Sequence, residues 1–277
     1  MLQQTRVEVV IDYYRRWVRA FPTRCALARA TESRVLKMWE GLGYYQRARN
    51  LHRAAKQVAR VPDNVPALMD LPGIGRYTAG AIASIAFGVR APVVDGNVAR
   101  VFARVFGRTG REWETAEALL PERNCGDFNQ ALMELGALVC TPAAPRCERC
   151  PLWAVCATRG DAVPRPKRRK LRRVTQDVLF VSDSGSVLLR QRPSTGLLAG
   201  MWELPAGRSF RHLLTLRHTI TNRRITLRVF RGRKAEGRWF SRRQLERVAM
   251  PAGHRRALTA AIELGSGSHA ANARRYR

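Results

Sequence analysis

From Val7 to Trp17 the apolar positions fall three and four residues apart: Val7, Val10, Ile11, Tyr14 and Trp17. That period belongs to one side of an α-helix. A second helix is predicted behind Thr31 as its cap, with Arg34, Val35, Leu36 and Met38 inside it. Gly41-Leu42-Gly43 breaks the pattern, and helix resumes near Gln46 and runs to about Arg60. Pro62, Asn64 and Pro66 mark a loop. Helical signal returns over residues 67–70, 76–87, 97–105 and 127–139, so the first 140 residues read as consecutive helices with little strand signal.

Beyond residue 175 the pattern shortens. Residues 177–182 and 186–191 predict two strands joined by a turn at Asp183-Ser184-Gly185. Residues 225–230 alternate like a strand, and Gly237–Phe240 predicts another. Ser241 caps a predicted helix to about Val248, and a last helix spans about 254–264. This half is expected to be a mixed α+β domain. Between the halves, 164–173 reads PRPKRRKLRR, seven basic residues in ten. It is a solvated linker that can also touch phosphates. Residues 265–277 are expected to be a disordered tail. The expected division is therefore 1–160, a linker 161–174, a second domain 175–264, and the tail.

Composition sharpens the picture. The 277 residues carry 50 Lys and Arg against 21 Asp and Glu, a formal charge of +29, and Arg supplies nearly all of it. Such a balance suits a polyanion, a nucleic acid or an anionic membrane surface. With 45% hydrophobic residues the chain has material for ordinary cores, which excludes wholesale disorder. The longest largely apolar run, Ala79 to Val89, is about half the ~20 residues that span a bilayer. The charged first twenty residues lack a signal-peptide core. A cytoplasmic protein is expected, in which six cysteines favour metal ligation over disulfides.

Four of those cysteines, Cys140, Cys147, Cys150 and Cys156, form C-x6-C-x2-C-x5-C. Four soft thiolates this close suit a tetrahedral zinc or a cubane iron–sulfur cluster. Only one C-x2-C knuckle is present, and the wide outer spacings suit an object larger than one ion. Cys25 and Cys125 read as ordinary buried thiols. Separately, Leu71-Pro72-Gly73-Ile74-Gly75-Arg76-Tyr77-Thr78-Ala79-Gly80 lies between two helical stretches. Its glycines permit a tight turn and close backbone approach, and the following helix N-terminus is a natural phosphate site. The plain alternative is a helix–turn–helix connection. Asp95-Gly96-Asn97 stands at another helix start some twenty residues on, and there Asp95 has the makings of an N-cap.

Taken together, these motifs resemble the helix-hairpin-helix DNA glycosylases of the endonuclease III-like superfamily. LPGIGRYTAG resembles their hairpin, VVDGNVARV the segment of their catalytic aspartate, and the cysteine spacing that of their [4Fe–4S] cluster. MLQQTRVEVVIDYY and WEGLGYYQRARNL resemble the subfamily of adenine DNA glycosylases that act opposite 8-oxoguanine. GLLAGMWELP and RHTITN resemble that subfamily's Nudix-like recognition domain, although no run of carboxylates follows Gly207 to hold magnesium for hydrolase chemistry. The resemblance covers essentially residues 1–260. It implies a mainly α helix-hairpin-helix glycosylase domain with a [4Fe–4S] cluster loop, followed by an α+β Nudix-like domain.

The resemblance also implies roles. Asp95 would stabilise the oxocarbenium ion, with Asn97 and Tyr77 positioning the carboxylate and the attacking water. Tyr77 stands where bifunctional relatives carry a Schiff-base lysine, which implies a monofunctional glycosylase. Gln4 and Tyr44 would wedge into the base stack and Leu2 would contact the flipped adenine, although Tyr44 also fits core packing beside Tyr45. Gly73, Gly75 and Arg76 would hold the DNA backbone. His218, Thr221 and Asn222 would read 8-oxoguanine. Relatives have Phe-Ser-His where this chain has Ile220-Thr221-Asn222, so only the hydroxyl is kept. Cys140, Cys147, Cys150 and Cys156 would hold the cluster. The family's general-acid glutamate lies two residues before the Met of MLQQT, ahead of Met1. The expectation is a reading frame that begins upstream, or else a shortened mismatch-binding protein with little catalysis. The partner implied is duplex DNA with adenine opposite 8-oxoguanine or guanine, bound by a monomer.

Overall fold

A computed structural model of the chain describes residues 1, 2, 5, 7–160, 171–220 and 222–265. Contacts group it into two compact units, residues 57–168, and residues 1–56 together with 169–277. That grouping cuts across the stretch 1–160 read from the sequence as one domain. Among the described residues no helix is long and apolar enough to cross a membrane.

Residues 1–56 form α1 (Val7–Ala20), α2 (Arg24–Arg29), α3 (Glu32–Met38) and most of α4 (Gln46–Gln57). Thr23 and Thr31 cap α2 and α3 by accepting the N–H groups of Ala26 and Arg34. The helix α4 stops three residues short of the predicted Arg60, before Pro62. Trp17 lies edge-on to Trp39 at 5.3 Å and to Phe21 at 4.9 Å, and Val35 and Leu36 close around them. Only Val10 and Trp17 of the predicted α1 stripe are buried; Val7, Ile11 and Tyr14 are exposed. Met201 and Ala249 complete this core, which joins 1–56 to the C-terminal residues.

The unit 57–168 contains α5 (Val65–Met69), α6 (Arg76–Phe87), α7 (Gly96–Val105), α8 (Glu112–Leu119) and α9 (Cys125–Glu134). A π-helical turn, Leu135–Val139, continues α9. The helices α6 and α9 pack backbone to backbone: a Cβ on Gly126 would stand 2.5 Å from the Ser84 carbonyl oxygen. Buried Asn129 ties them by donating to Ser84 Oγ and the Ala91 carbonyl, both at 2.9 Å.

The C-terminal part is α+β. Its elements are β1 (Arg172–Phe180), β2 (Ser182–Asp183), β3 (Ser186–Gln191), β4 (Trp202–Glu203), β5 (His212–Ile220), β6 (Arg223–Arg231) and β7 (Arg238–Ser241), then α10 (Arg242–Leu245) and α11 (Ala252–Gly265). One sheet has the order β1-β6-β5, with β1 parallel to β6; in the other, β3 pairs with β2, β4 and β7. The predicted turn is present, with Ser184 and Gly185 both left-handed at φ 45° and 79°. Ser241 caps α10 as predicted, but that helix ends at Leu245 rather than near Val248. Strand β1 starts at Arg172, so the last residues of the expected linker are strand. Linker residues 161–170 and tail residues 266–277 lie outside the described residues.

Candidate active site

Asp95 precedes α7 with extended backbone (φ −100°, ψ −177°), the geometry of an N-cap. Its Oδ1 accepts the backbone N–H groups of Asn97 and Val98, both at 2.8 Å. Its Oδ2 accepts from Asn97 Nδ2 at 3.0 Å. One oxygen is thus locked to the helix start, and the helix dipole favours its charge. Asn97 Oδ1 in turn accepts from Arg100 Nη2 at 2.8 Å. Arg100 continues to the Gly136 carbonyl at 2.7 Å and the Cys140 carbonyl at 2.9 Å. A chain of hydrogen bonds therefore runs from the carboxylate to the first cysteine.

Tyr77 lies one residue inside α6, half-buried, its hydroxyl donating weakly to Met133 Sδ at 3.8 Å. Burial, and then the nearby Asp95 charge, push its pKa above the usual phenol value, so it stays protonated. Ahead of it Gly73 adopts φ 77° and Gly75 is the N-cap of α6, with no side chain capping the helix. Gly75 has an ordinary φ of −96°, and a Cβ there would meet nothing within 4 Å. Nothing inside the molecule requires glycine at this position, and the space beside it is open. Arg76 lies 4.0 Å over the Trp113 ring, which holds its guanidinium at the hairpin.

Cys140, Cys147, Cys150 and Cys156 line one cavity walled by Val101, Leu135 and Leu152. Beside it Arg104 is 5% exposed. Its Nη1 donates to Cys140 Sγ at 3.2 Å and to the Thr141 carbonyl at 2.8 Å. Its Nε is buried without a hydrogen-bond partner. A buried guanidinium bonded to a cysteine sulfur and backbone carbonyls fits a set of negative thiolates, which supply the missing counter-charge. Among the described residues no three His, Cys, Asp or Glu side chains converge as they would on one metal ion. The four thiols surround a space, and the donor set suits a thiolate-held group that fills it.

In the other unit, Leu2 and Tyr44 are both well exposed. Tyr44 adopts a left-handed φ of 48° between Gly43 and Tyr45. Several bonds fix this loop: Trp39 Nε1 donates to the Gly43 carbonyl at 2.9 Å, and the Gly41 N–H donates to Tyr45 Oη at 3.3 Å. Tyr45 is the core partner, and burial pushes its hydroxyl up to about 12. Arg47 lies 5.3 Å from the Tyr44 ring centre and donates to the Met1 carbonyl at 3.1 Å, tying the N-terminal segment beside the tyrosine.

His218 lies on the core side of β5 against Gly253, where a Cβ would come within 2.4 Å of its ring. Its Nδ1 is buried without a hydrogen-bond partner, and burial lowers its pKa. The Asn222 carbonyl accepts the Arg172 N–H at 2.8 Å in the β5–β6 connection. Gln4 and Thr221 lie outside the described residues. Sequence reasoning did not find Arg47, Arg100, Arg104 or Trp113. The spacing of Asn97, Arg100 and Arg104 along one side of α7 was the available signal for two of them.

The model of the HhH-GPD superfamily of base excision DNA repair proteins matches residues 1–123, and that of the NUDIX domain matches residues 178–260. The chain is 39% identical over 269 residues to the adenine DNA glycosylase of Rattus norvegicus, covering 74% of this chain and 52% of the relative. It is 38% identical over 271 residues to that of Homo sapiens, with coverage of 74% and 50%. It is 46% identical over 179 residues to that of Mycobacterium tuberculosis, with coverage of 59% and 58%. The chain thus spans about half the length of the curated relatives it matches. Among solved structures, a thermostable thymine-DNA glycosylase matches with TM-score 0.52 and 34% identity over 56% of this chain and 78% of the other. A non-covalent endonuclease III–DNA complex matches with TM-score 0.51 and 26% identity over the same shares. With a helical hairpin, a capping carboxylate and four cysteines in one half and an α+β fold in the other, the chain belongs to the HhH-GPD superfamily of base excision DNA repair proteins and carries a Nudix-like domain.

Proposed function

We propose that the chain is a monofunctional DNA glycosylase that hydrolyses the N-glycosidic bond of adenine mispaired with 8-oxoguanine or guanine. The observation that carries this reading is the Asp95 carboxylate, fixed at the start of α7 with Oδ1 engaged twice and Oδ2, among the described residues, bonded only to Asn97. A rigid negative charge stabilises the positive sugar carbon that forms as the base leaves, and water then adds to that carbon. Asn97 and Arg100 are positioning residues for it. A protonated Tyr77 offers no amine, so no Schiff base forms and the strand is not cut.

Duplex DNA is held by the backbone at Gly73 and Gly75 and by Arg76. Leu2, Gln4 and Tyr44 contact the base pair being opened, and His218, Thr221 and Asn222 form the part facing the opposite purine. The four cysteines hold a [4Fe–4S] cluster, which when bound braces residues 140–156; Arg104 balances its thiolates. The functional division is 1–160, a basic linker and a recognition domain over 175–264. The superfamily match across residues 1–123 falls within the first of these parts.

The test is single-turnover base release by the 277-residue chain. Adenine release opposite 8-oxoguanine, without strand nicking or borohydride trapping, is expected, and Asp95→Asn abolishes it. Thymine release from a T:G pair with no adenine release, or no release from any of these duplexes, overturns the proposal.

A further inference from the structure

The sheet β1-β6-β5 carries seven arginines and a single carboxylate, Asp177. Strands β1 and β6 are parallel and both begin with two arginines, in register: Arg172 opposite Arg223, and Arg173 opposite Arg224. Neighbouring strands lie ~4.8 Å apart, and like charges directly opposite one another destabilise a sheet. All four side chains are exposed, and none of them has a carboxylate partner among the described residues. The contrast lies further along the same two strands. There Asp177 faces Arg228 and takes both of its bonds, at 2.6 and 2.7 Å. The strands thus neutralise one cross-strand position and set arginine opposite arginine at two others.

Alternation sorts these residues by face. Arg173, Arg224 and Arg217 lie opposite the buried Val178, Leu227 and Leu216, on a side otherwise rich in Thr175, Thr219 and Thr226. Arg172 and Arg223 close the end of the sheet next to Ile220. The Arg172 N–H donates to the Asn222 carbonyl, so the charged end of β1 is stitched to the β5–β6 connection.

We propose that Arg172, Arg173, Arg223 and Arg224, with Arg217 beside them, form a clamp for the phosphate backbone of duplex DNA. The repulsion built into the register is relieved by a polyanion whose charges repeat at short intervals. The clamp lies at the end of the sheet where Arg223 pairs with Ile220 and the Arg172 N–H meets the Asn222 carbonyl. The inference rests on the reading of the chain as a DNA-binding protein and not on which base it releases.

The experiment compares two quadruple variants of the full chain. One replaces Arg172, Arg173, Arg223 and Arg224 by Gln; the control replaces the exposed Arg233, Arg242, Arg243 and Arg247 by Gln. Binding to an undamaged duplex is measured across salt concentrations. At ~0.9 per phosphate contact, the salt slope of the first variant falls by about 3 to 4, and that of the control by less than 1. Without DNA, at low salt, the first variant melts at a higher temperature than wild type, and the difference closes as salt rises. A merely structural cluster predicts the reverse, a lower melting temperature. Slopes equal in the two variants, a lower melting temperature, or loss of binding to phosphatidylserine vesicles instead of DNA overturns the proposal. Because the readout needs no base release, a changed slope without adenine release sinks only the proposed activity. Normal release with an unchanged slope sinks only the clamp.

Discussion

Asp95 caps α7 and, in the proposed function, also supplies the catalytic charge, two tasks that substitution can separate. Asparagine caps helices as well as aspartate, so Asp95→Asn is expected to keep its bonds to the Asn97 and Val98 amides and to melt near wild type. Base release then falls at least ~10²-fold from the loss of charge alone. Asp95→Ala loses the cap as well, at about 1 kcal/mol, which calorimetry reads as a lower melting temperature. His254 is the second informative residue. It is buried, accepts the Leu204 N–H on Nδ1 at 3.2 Å, and so turns Nε2 towards Glu203 at 3.6 Å. Arg190 and Arg192 already neutralise Glu203. Burial pushes the His254 pKa down to about 4, against the attraction of Glu203. Between about pH 6.5 and 4 the unfolded chain therefore binds a proton that the folded chain refuses, and acid favours unfolding. The melting temperature is expected to drop across that window. His254→Asn, which keeps an acceptor for Leu204, flattens that part of the profile.

Among the elements, the long periodic helices and the Asp183–Gly185 turn were legible because their signals are local. The helices α2 and α8, with six and eight residues, are too short to display a period. Strand β5 was missed for a different reason: a register shift between His212 and Leu214 sets two leucines side by side and hides the alternation. The loop Glu40–Tyr45 was legible as a break, but its stiffness was not, because the anchors come from Trp39 and from Tyr13, 27 residues away. Tyr13 Oη also explains Gly41, where φ is 104° and a Cβ would stand 2.0 Å from that oxygen. Gly41→Ala is expected to cost about 2–3 kcal/mol through strain and overpacking. Urea titration measures that cost, and Tyr13→Phe, which removes the clashing oxygen, recovers part of it.

At the level of the whole molecule, the charge points to a polyanion and the four-cysteine spacing to a thiolate-held group from the order of residues alone. The grouping of residues 1–56 with the C-terminal part was not legible. It depends on pairs far apart in sequence. Arg255 of α11 meets Glu40 at 2.7 and 3.2 Å and also bonds the carbonyls of Leu245 and Val248. Arg49 bonds the Ala199 carbonyl. Hydrogen bonds to charged groups are worth ~1.5–3 kcal/mol each when shielded, so Arg255→Met is expected to destabilise this unit by roughly 2–3 kcal/mol. Arg255→Lys restores less than half, since one ammonium does not reproduce the fork. Hydrogen exchange in α3 and α11 together, faster in the variant, checks that both sides loosen at once.

Gly75 has empty space where a methyl group would go and an unremarkable backbone, so Gly75→Ala is expected to fold within about 1 kcal/mol of wild type. Yet on the proposed reading that methyl would occupy the spot that a nucleic-acid strand needs, and affinity for duplex measured by anisotropy is expected to fall at least tenfold. A screen that scores expression, solubility or heat resistance would pass this variant as harmless. Defects of this kind leave no trace in the unbound protein and surface only when the substrate is offered.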